Sequence, residues 1–289
     1  MSRLLVHLHV FYPEQLPYFL EKLSHIQGCA WDLVVTYSRE EALIRREIGA
    51  AYPQAVFLLV ENVGFDVWPF LRVLRTVDFG RYDYVLKLHT KHGAPGYGGH
   101  LWSVQFSGYR WRDLLVDAIL RSPAQFRKAL RALEEDPGAG LVCDGLLLQP
   151  RRAALPEDNA LLEEELTRMG LQVGPDDMYC AGTMFLARLA PYAALRDAPI
   201  TASSYSAESQ SSQTGTLAHV QERICTYVVT AAGYRIVPAT AWPVNYALLQ
   251  GWRKIKPFFQ FIFKIDWDGP NGEKCLTLLG LRFVLKKKK

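Results

Sequence analysis

The first ninety residues alternate short apolar runs with stretches of helical spacing, and this order restricts the fold more than any other feature. Residues 4–10, 33–36, 55–60 and 82–89 are apolar runs of strand length. Between them, residues 13–23, 39–49 and 67–74 place apolar side chains three and four apart, as one face of a helix requires. A βαβαβαβ order of this kind implies an α/β fold with a mostly parallel sheet and helices on both faces. Ligands in such sheets collect outside the carboxyl ends of the strands, which directs attention to residues 9–12, 36–38, 61–66 and 89–92.

Beyond that point the pattern predicts helices over 104–120, 123–134 and 159–169, and strands over 140–148, 179–186 and 234–237. Residues 216–232 form the clearest helix. Leu217, Val220, Ile224, Val228 and Ala231 share one stripe, and Gly233 stands where it would stop. Residues 93–99 are glycine-rich and residues 201–216 contain six serines with no large aliphatic side chain, so both read as loops. With no repeat or linker, the organisation predicted is one domain over 1–250 and a tail over 251–289.

An apolar fraction of 49% in 289 residues supplies a core and excludes a disordered chain. The net charge of +4 is too small to imply nucleic-acid binding, but it is unevenly spread. From Trp252 onward ten Lys or Arg face Asp266, Asp268 and Glu273, which leaves 23 basic against 26 acidic groups in the rest. The string WRKIKPFFQFIFKIDW and the four terminal lysines suit an anionic membrane surface, where basic groups meet headgroups and aromatics insert shallowly. Five scattered cysteines form no CxxC pair, which argues against disulfides and zinc and for a reducing compartment. His7 and His9 interrupt the initial apolar run, so it does not read as a signal peptide. The expected location is the cytoplasm, peripheral at the inner face of the membrane.

Three strings carry chemistry. In YDYVLKLHTKH, alternation puts Lys87 and His89 on one face of a strand that should be apolar on both, with Lys91 just past its end. A buried ammonium needs an anion, so either a structural ion pair or an anionic ligand is expected. In ENVGFDVWPF, Gly64 permits a tight turn and Asp66 can cap a helix, while Asn62 and Asp66 could also hold sugar hydroxyls. In GTLAHVQERICTYVV, His219 and Glu222 lie one turn apart, opposite the apolar stripe.

The strings HVFYPE, ENVGFDVWPFL, YDYVLKLHTKH, CAGTMFLAR and GTLAHVQERI, in this order, closely resemble the rhamnan synthesis protein F family of bacterial polysaccharide glycosyltransferases. One departure is Phe65, where the family usually has a basic residue. The family is similar in turn to GT-A type transferases. That resemblance implies a nucleotide-sugar donor held by His9, Tyr12, Thr36, Ser38, Asn62, Gly64, Asp66, Lys87, His89 and Lys91. It implies an acceptor held by Gly182, Thr183 and Arg223, with Glu222 as catalytic base and His219 beside it. GT-A enzymes normally carry Asp-x-Asp for a metal where this chain has His89-Thr90-Lys91, so no metal cofactor is expected. The implied reaction is inverting transfer, with dTDP-L-rhamnose favoured, to a lipid-linked surface polysaccharide or O-antigen. Two other readings stay open: a metal-dependent hydrolase built on His7, His9, His89, His92 and His100, and a non-catalytic glycan-assembly module.

Overall fold

A computed structural model of the chain describes residues 2–39, 42–93, 100–101, 104–105, 107–153, 156–205, 215–267 and 274–285. They fall into two compact units, residues 1–241 and 242–289. In the first, the alternation read from the sequence is present: β1 (Arg3–Val10), α1 (Leu16–Leu23), β2 (Ala30–Tyr37), α2 (Ala42–Ala51), β3 (Val56–Leu59), α3 (Val67–Thr76) and β4 (Tyr84–His89). Two short strands follow, β5 (His100–Leu101) and β6 (Val104–Gln105), then α4 (Gly108–Leu120), α5 (Pro123–Glu134) and β7 (Ala139–Asp144). Ser107 and Ser122 cap α4 and α5 by accepting the amides of Arg110 and Gln125, with Pro123 preset for the first turn of α5.

The remainder comprises β8 (Leu148–Pro150), α6 (Pro156–Arg168), β9 (Met178–Cys180), β10 (Phe185–Arg188), α7 (Ala193–Arg196), α8 (Leu217–Ala231) and β11 (Arg235–Ala239). Seven strands form one sheet in the order β11-β7-β10-β4-β1-β2-β3, with β10 alone antiparallel to its neighbours. Every side chain of β1 from Leu4 to Val10 and every one of β4 is buried, so helices cover both sheet faces. The chain turns back between β1 and β4, since β2 lies on one side of β1 and β4 on the other. This switch point is where an open α/β sheet offers a crevice.

Three elements differ from the sequence expectation. Residues 104–105 are a strand ahead of α4, not the start of the helix. The strand expected over 140–148 divides at Asp144, whose carboxylate accepts the amides of Leu146 and Leu147 and bends the chain away. The strand expected over 179–186 divides at Gly182 and Thr183, both with positive φ (94° and 49°). A β-branched threonine rarely takes that conformation.

The second unit is more than a tail. It contains α9 (Pro243–Ile262) and an antiparallel sheet of β12 (Phe263–Trp267), β13 (Lys274–Leu278) and β14 (Leu281–Leu285). No described helix is long and apolar enough to cross a membrane. Most of the glycine-rich and serine-rich loops and the last four lysines lie outside the described residues.

Candidate active site

Register brings the chemistry of β1, β2 and β4 into line: His7 stands beside Lys87, and His9 beside both His89 and Thr36. Lys87 is fully buried. Its ammonium has three protons to place, and all three find acceptors. It pairs with the Asp66 carboxylate and donates to the carbonyl and the Oγ1 of Thr183, each at 3.1 Å. Thr183 Oγ1 in turn donates to Asp66 Oδ2 at 2.7 Å. Burial alone would raise the Asp66 carboxyl, but the neighbouring His89, the ammonium charges of Lys87 and Lys91 and the hydrogen bond from Lys87 override it and hold the group well below the usual carboxylate range.

Positive φ at Gly64 and Phe65 (64° and 51°) carries the chain from β3 into α3 and turns Asp66 toward the sheet. At Gly64 a Cβ would lie 2.7 Å from the Tyr205 ring, so a side chain there would displace the turn. Asp66 holds the N-cap position of α3 without capping it through its side chain. The α3 dipole still favours its charge.

Beside this triad, one hydroxyl holds two histidines. Thr36 Oγ1 meets His7 Nε2 at 2.8 Å and His9 Nδ1 at 2.9 Å. With a single proton to give, it donates to one ring and accepts from the other. Burial pushes the imidazoles of His7 and His89 well below their ordinary range and that of His9 down to about 4. His7 also stacks on Phe70 at 5.6 Å, inside the core.

These contacts correct several expectations. Lys87 is a structural ion pair and not an open phosphate ligand, because its protons are already placed. Asp66 Oδ2 and Thr183 Oγ1 are engaged with each other and with Lys87, and Thr36 Oγ1 with two imidazoles, so any donor or acceptor contact at these atoms competes with bonds inside the protein. His7 and His9 do share a face, but they clamp a threonine, and Lys87 occupies the nearest carboxylate. Among the described residues no group of three or more His, Cys, Asp or Glu could hold a metal. At the Asp-x-Asp position stand His89-Thr90-Lys91, one imidazole, a hydroxyl and an ammonium beside a carboxylate already bound to Lys87, a set that does not fit a divalent cation.

An open pocket of about 190 Å³ lies nearby, lined by Trp111, Leu147, Gln149, Tyr179, Ala181, Gly182, His219, Glu222 and Arg223. Here α8 delivers the residues that its sequence put opposite the apolar stripe. Thr216 caps the helix and holds His219 Nδ1 at 2.7 Å, while the imidazole ring packs 5.4 Å from Phe65. No hydrogen bond offsets the burial of Glu222 among the described residues. Burial, reinforced by the Asp66 charge and opposed by Lys91, Lys87 and Arg223, pushes its carboxyl up to about 7.

Arg223 is anchored through Nη2 to the buried Asp158 at 2.6 Å, but its Nη1 is buried without a hydrogen-bond partner, as is Trp111 Nε1. Lys91 stands 4.1 Å from the centre of the Trp111 ring, a cation–π contact. Gly182 permits that approach, since a Cβ would lie 2.8 Å from Trp111 Nε1. Tyr12, Ser38 and Asn62 remain at the ends of β1, β2 and β3, half-buried or exposed.

Asp158, Trp111, Tyr179 and Gln149 were not legible as site residues. Asp158 falls just ahead of the helix predicted over 159–169, and Trp111 lies inside the one predicted over 104–120, with no spacing that ties either to the site.

The family model described as rhamnan synthesis protein F matches residues 1–234. The chain belongs to that family. Among curated proteins, "Uncharacterized protein WxcX" of two Xanthomonas campestris pv. campestris strains is 33% and 32% identical over 178 residues. That match covers 61% of this chain and 24% of the relatives, so it spans about a quarter of their length. The crystal structure of S. aureus TarS 1-349 aligns over 83% of this chain and 58% of that one, at 10% identity and a TM-score of 0.43. That likeness is too distant to carry an argument. For this member of the rhamnan synthesis protein F family, the pocket beside α8 is the candidate active site.

Proposed function

We propose that this chain is an inverting glycosyltransferase of surface-polysaccharide synthesis, with Glu222 as general base. The observation that carries the reading is the Glu222 carboxyl in an open pocket with a pKa near 7, where a base works best at neutral pH. Family membership supports the polysaccharide context. In the reaction, an acceptor hydroxyl loses its proton to Glu222 as its oxygen bonds to the anomeric carbon of the donor. The bond from that carbon to the nucleoside diphosphate breaks, and its electron pair leaves on the phosphate. Lys91 and the unpaired Nη1 of Arg223 stabilise the departing charge. Lys87 acts at one remove by fixing Asp66, Thr183 and the backbone that leads into the pocket.

The donor favoured is dTDP-L-rhamnose, from the family's description, and the acceptor is a lipid-linked glycan such as an O-antigen at the inner face of the cytoplasmic membrane. Fixed cations replace the metal of other GT-A-like enzymes in this reading. Activity should therefore survive EDTA, and loss that Mg²⁺ or Mn²⁺ restores would exclude it. The test of the whole reading is nucleotide release from a panel of nucleotide sugars by the wild type, Glu222→Gln and Asp177→Asn. Glu222→Gln should lower kcat by about 10²–10⁴ with donor affinity kept. Normal turnover in Glu222→Gln with a dead Asp177→Asn would move the base elsewhere.

A further inference from the structure

The second unit turns apolar side chains outward on two of its surfaces. Along α9, Val244, Leu248, Trp252, Ile255 and Phe259 follow helical spacing and are 42–69% exposed. In the three-stranded sheet, Phe263, Leu278 and Leu281 pair across one row, and Phe283 lies in the next row on the same face. All four are exposed, whereas Cys275, on the other face, is fully buried. An antiparallel sheet with one solvated face normally shows polar side chains there; this one is reversed.

The turn between β13 and β14 is equally unusual. Leu279 and Gly280 have φ values of 49° and 78°, the left-handed pair of a two-residue hairpin, where Asn-Gly is the ordinary choice. A leucine held there, 62% exposed, is strained without any gain in burial. Strain of that kind points to use. The amides of Leu279 and Gly280 donate to the carbonyls of Ile262 and Phe261, which fixes the turn against the end of α9. Phe261, Phe263, Leu278, Leu279 and Leu281 thereby form one exposed apolar tip.

From these features we infer that the Leu279–Gly280 hairpin tip, with the aromatic end of α9, inserts into the headgroup region of an anionic bilayer. Charge selects this occupant over a protein. Of the ten basic residues from Trp252 onward, eight are lysine, against three acidic residues. Lysine is depleted at protein interfaces, while lysine and aromatic residues together suit anionic headgroups. Lys254 and Lys256 are exposed on α9 among the aromatics.

The test is co-sedimentation of the full chain with phosphatidylglycerol-containing vesicles and with pure phosphatidylcholine vesicles, at low and high salt. It reads no activity, so it can fail independently of the transferase reading. Leu279→Asn keeps the turn, since asparagine accepts its backbone. Paired with Leu281→Gln, it should lower binding to the anionic vesicles about tenfold while the circular dichroism stays unchanged. Wild-type binding should exceed that to phosphatidylcholine and weaken with salt. Equal binding by the double variant would overturn the role of the tip. A wild-type dimer in analytical ultracentrifugation that the double variant breaks, with no vesicle binding by either, would assign the face to a second copy instead.

Discussion

Lys87 and Glu222 are both ionisable groups carried into the same α/β unit, and their surroundings are built on opposite terms. Lys87 is closed in: three acceptors, no exposure, and a carboxylate whose charge it matches. Glu222 borders open space, with two unpartnered buried donors, Trp111 Nε1 and Arg223 Nη1, on the same pocket. The first arrangement ties β4 and Thr183 to the start of α3 and leaves no proton of the ammonium to bind, although His7 Nδ1 and His89 Nδ1 beside it are buried without a hydrogen-bond partner. The second leaves buried polar groups unpaired, which costs stability unless a ligand supplies the partners. A charged side chain at the carboxyl end of a strand therefore does not by itself mark the reacting centre; unpaired donors that line an open pocket are the better guide.

The contrast is sharpest under substitution. Lys87→Met strands the Asp66 carboxylate, and stability to urea should fall by about 3–5 kcal/mol. Adding Asp66→Leu should recover most of it, because a buried pair replaced by apolar groups is near neutral. If Lys87→Met folds with wild-type stability and loses only ligand affinity, Lys87 belongs to the site after all. Glu222 should act in the other direction. Its folded carboxyl titrates near 7 against an ordinary value of 4.5. Its contribution to stability is therefore complete below about pH 4.5 and lost as pH rises through about 7. Glu222→Gln should flatten that part of a pH series of melting temperatures; an unchanged slope would mean that Glu222 is not desolvated.

Smaller effects separate the two clusters further. Thr183→Ala removes a hydroxyl bonded to both Asp66 and Lys87 and should cost about 1–2 kcal/mol of stability, read by denaturant unfolding. Trp111→Phe removes an unpaired buried donor, so stability should hold or rise, by no more than about 1–3 kcal/mol. Nucleotide-sugar affinity by calorimetry should instead weaken about tenfold, the loss of one hydrogen bond to a charged group. A stability loss without an affinity loss would show that Trp111 serves packing alone.

The parallel half of the sheet was legible because its signal is local. Strand and helix periods switch cleanly through β4, and the α8 stripe by itself puts His219 and Glu222 opposite the apolar face. The strand divisions at Asp144 and at Gly182–Thr183 were not legible. They depend on a side chain bonding amides two and three residues on, and on a threonine held at positive φ by Asp66, which lies 117 residues earlier in the chain. Lys87 is anomalous in an otherwise apolar strand, but spacing alone does not choose its partner. The same applies to Arg223 and Asp158, 65 residues apart. Pairings across such distances are fixed by tertiary packing and leave no periodic trace.

The most direct measurement is the pH dependence of kcat/KM for nucleotide-sugar turnover by the wild type. With Glu222 as base, the rate should rise tenfold per pH unit on the acid side and level off near pH 7, where the carboxyl is about half ionised. Glu222→Gln should be slower by about 10²–10⁴ and lack that limb. A wild-type limb centred near 4.5, or one that persists in Glu222→Gln, would contradict the assignment of Glu222 as the reacting base.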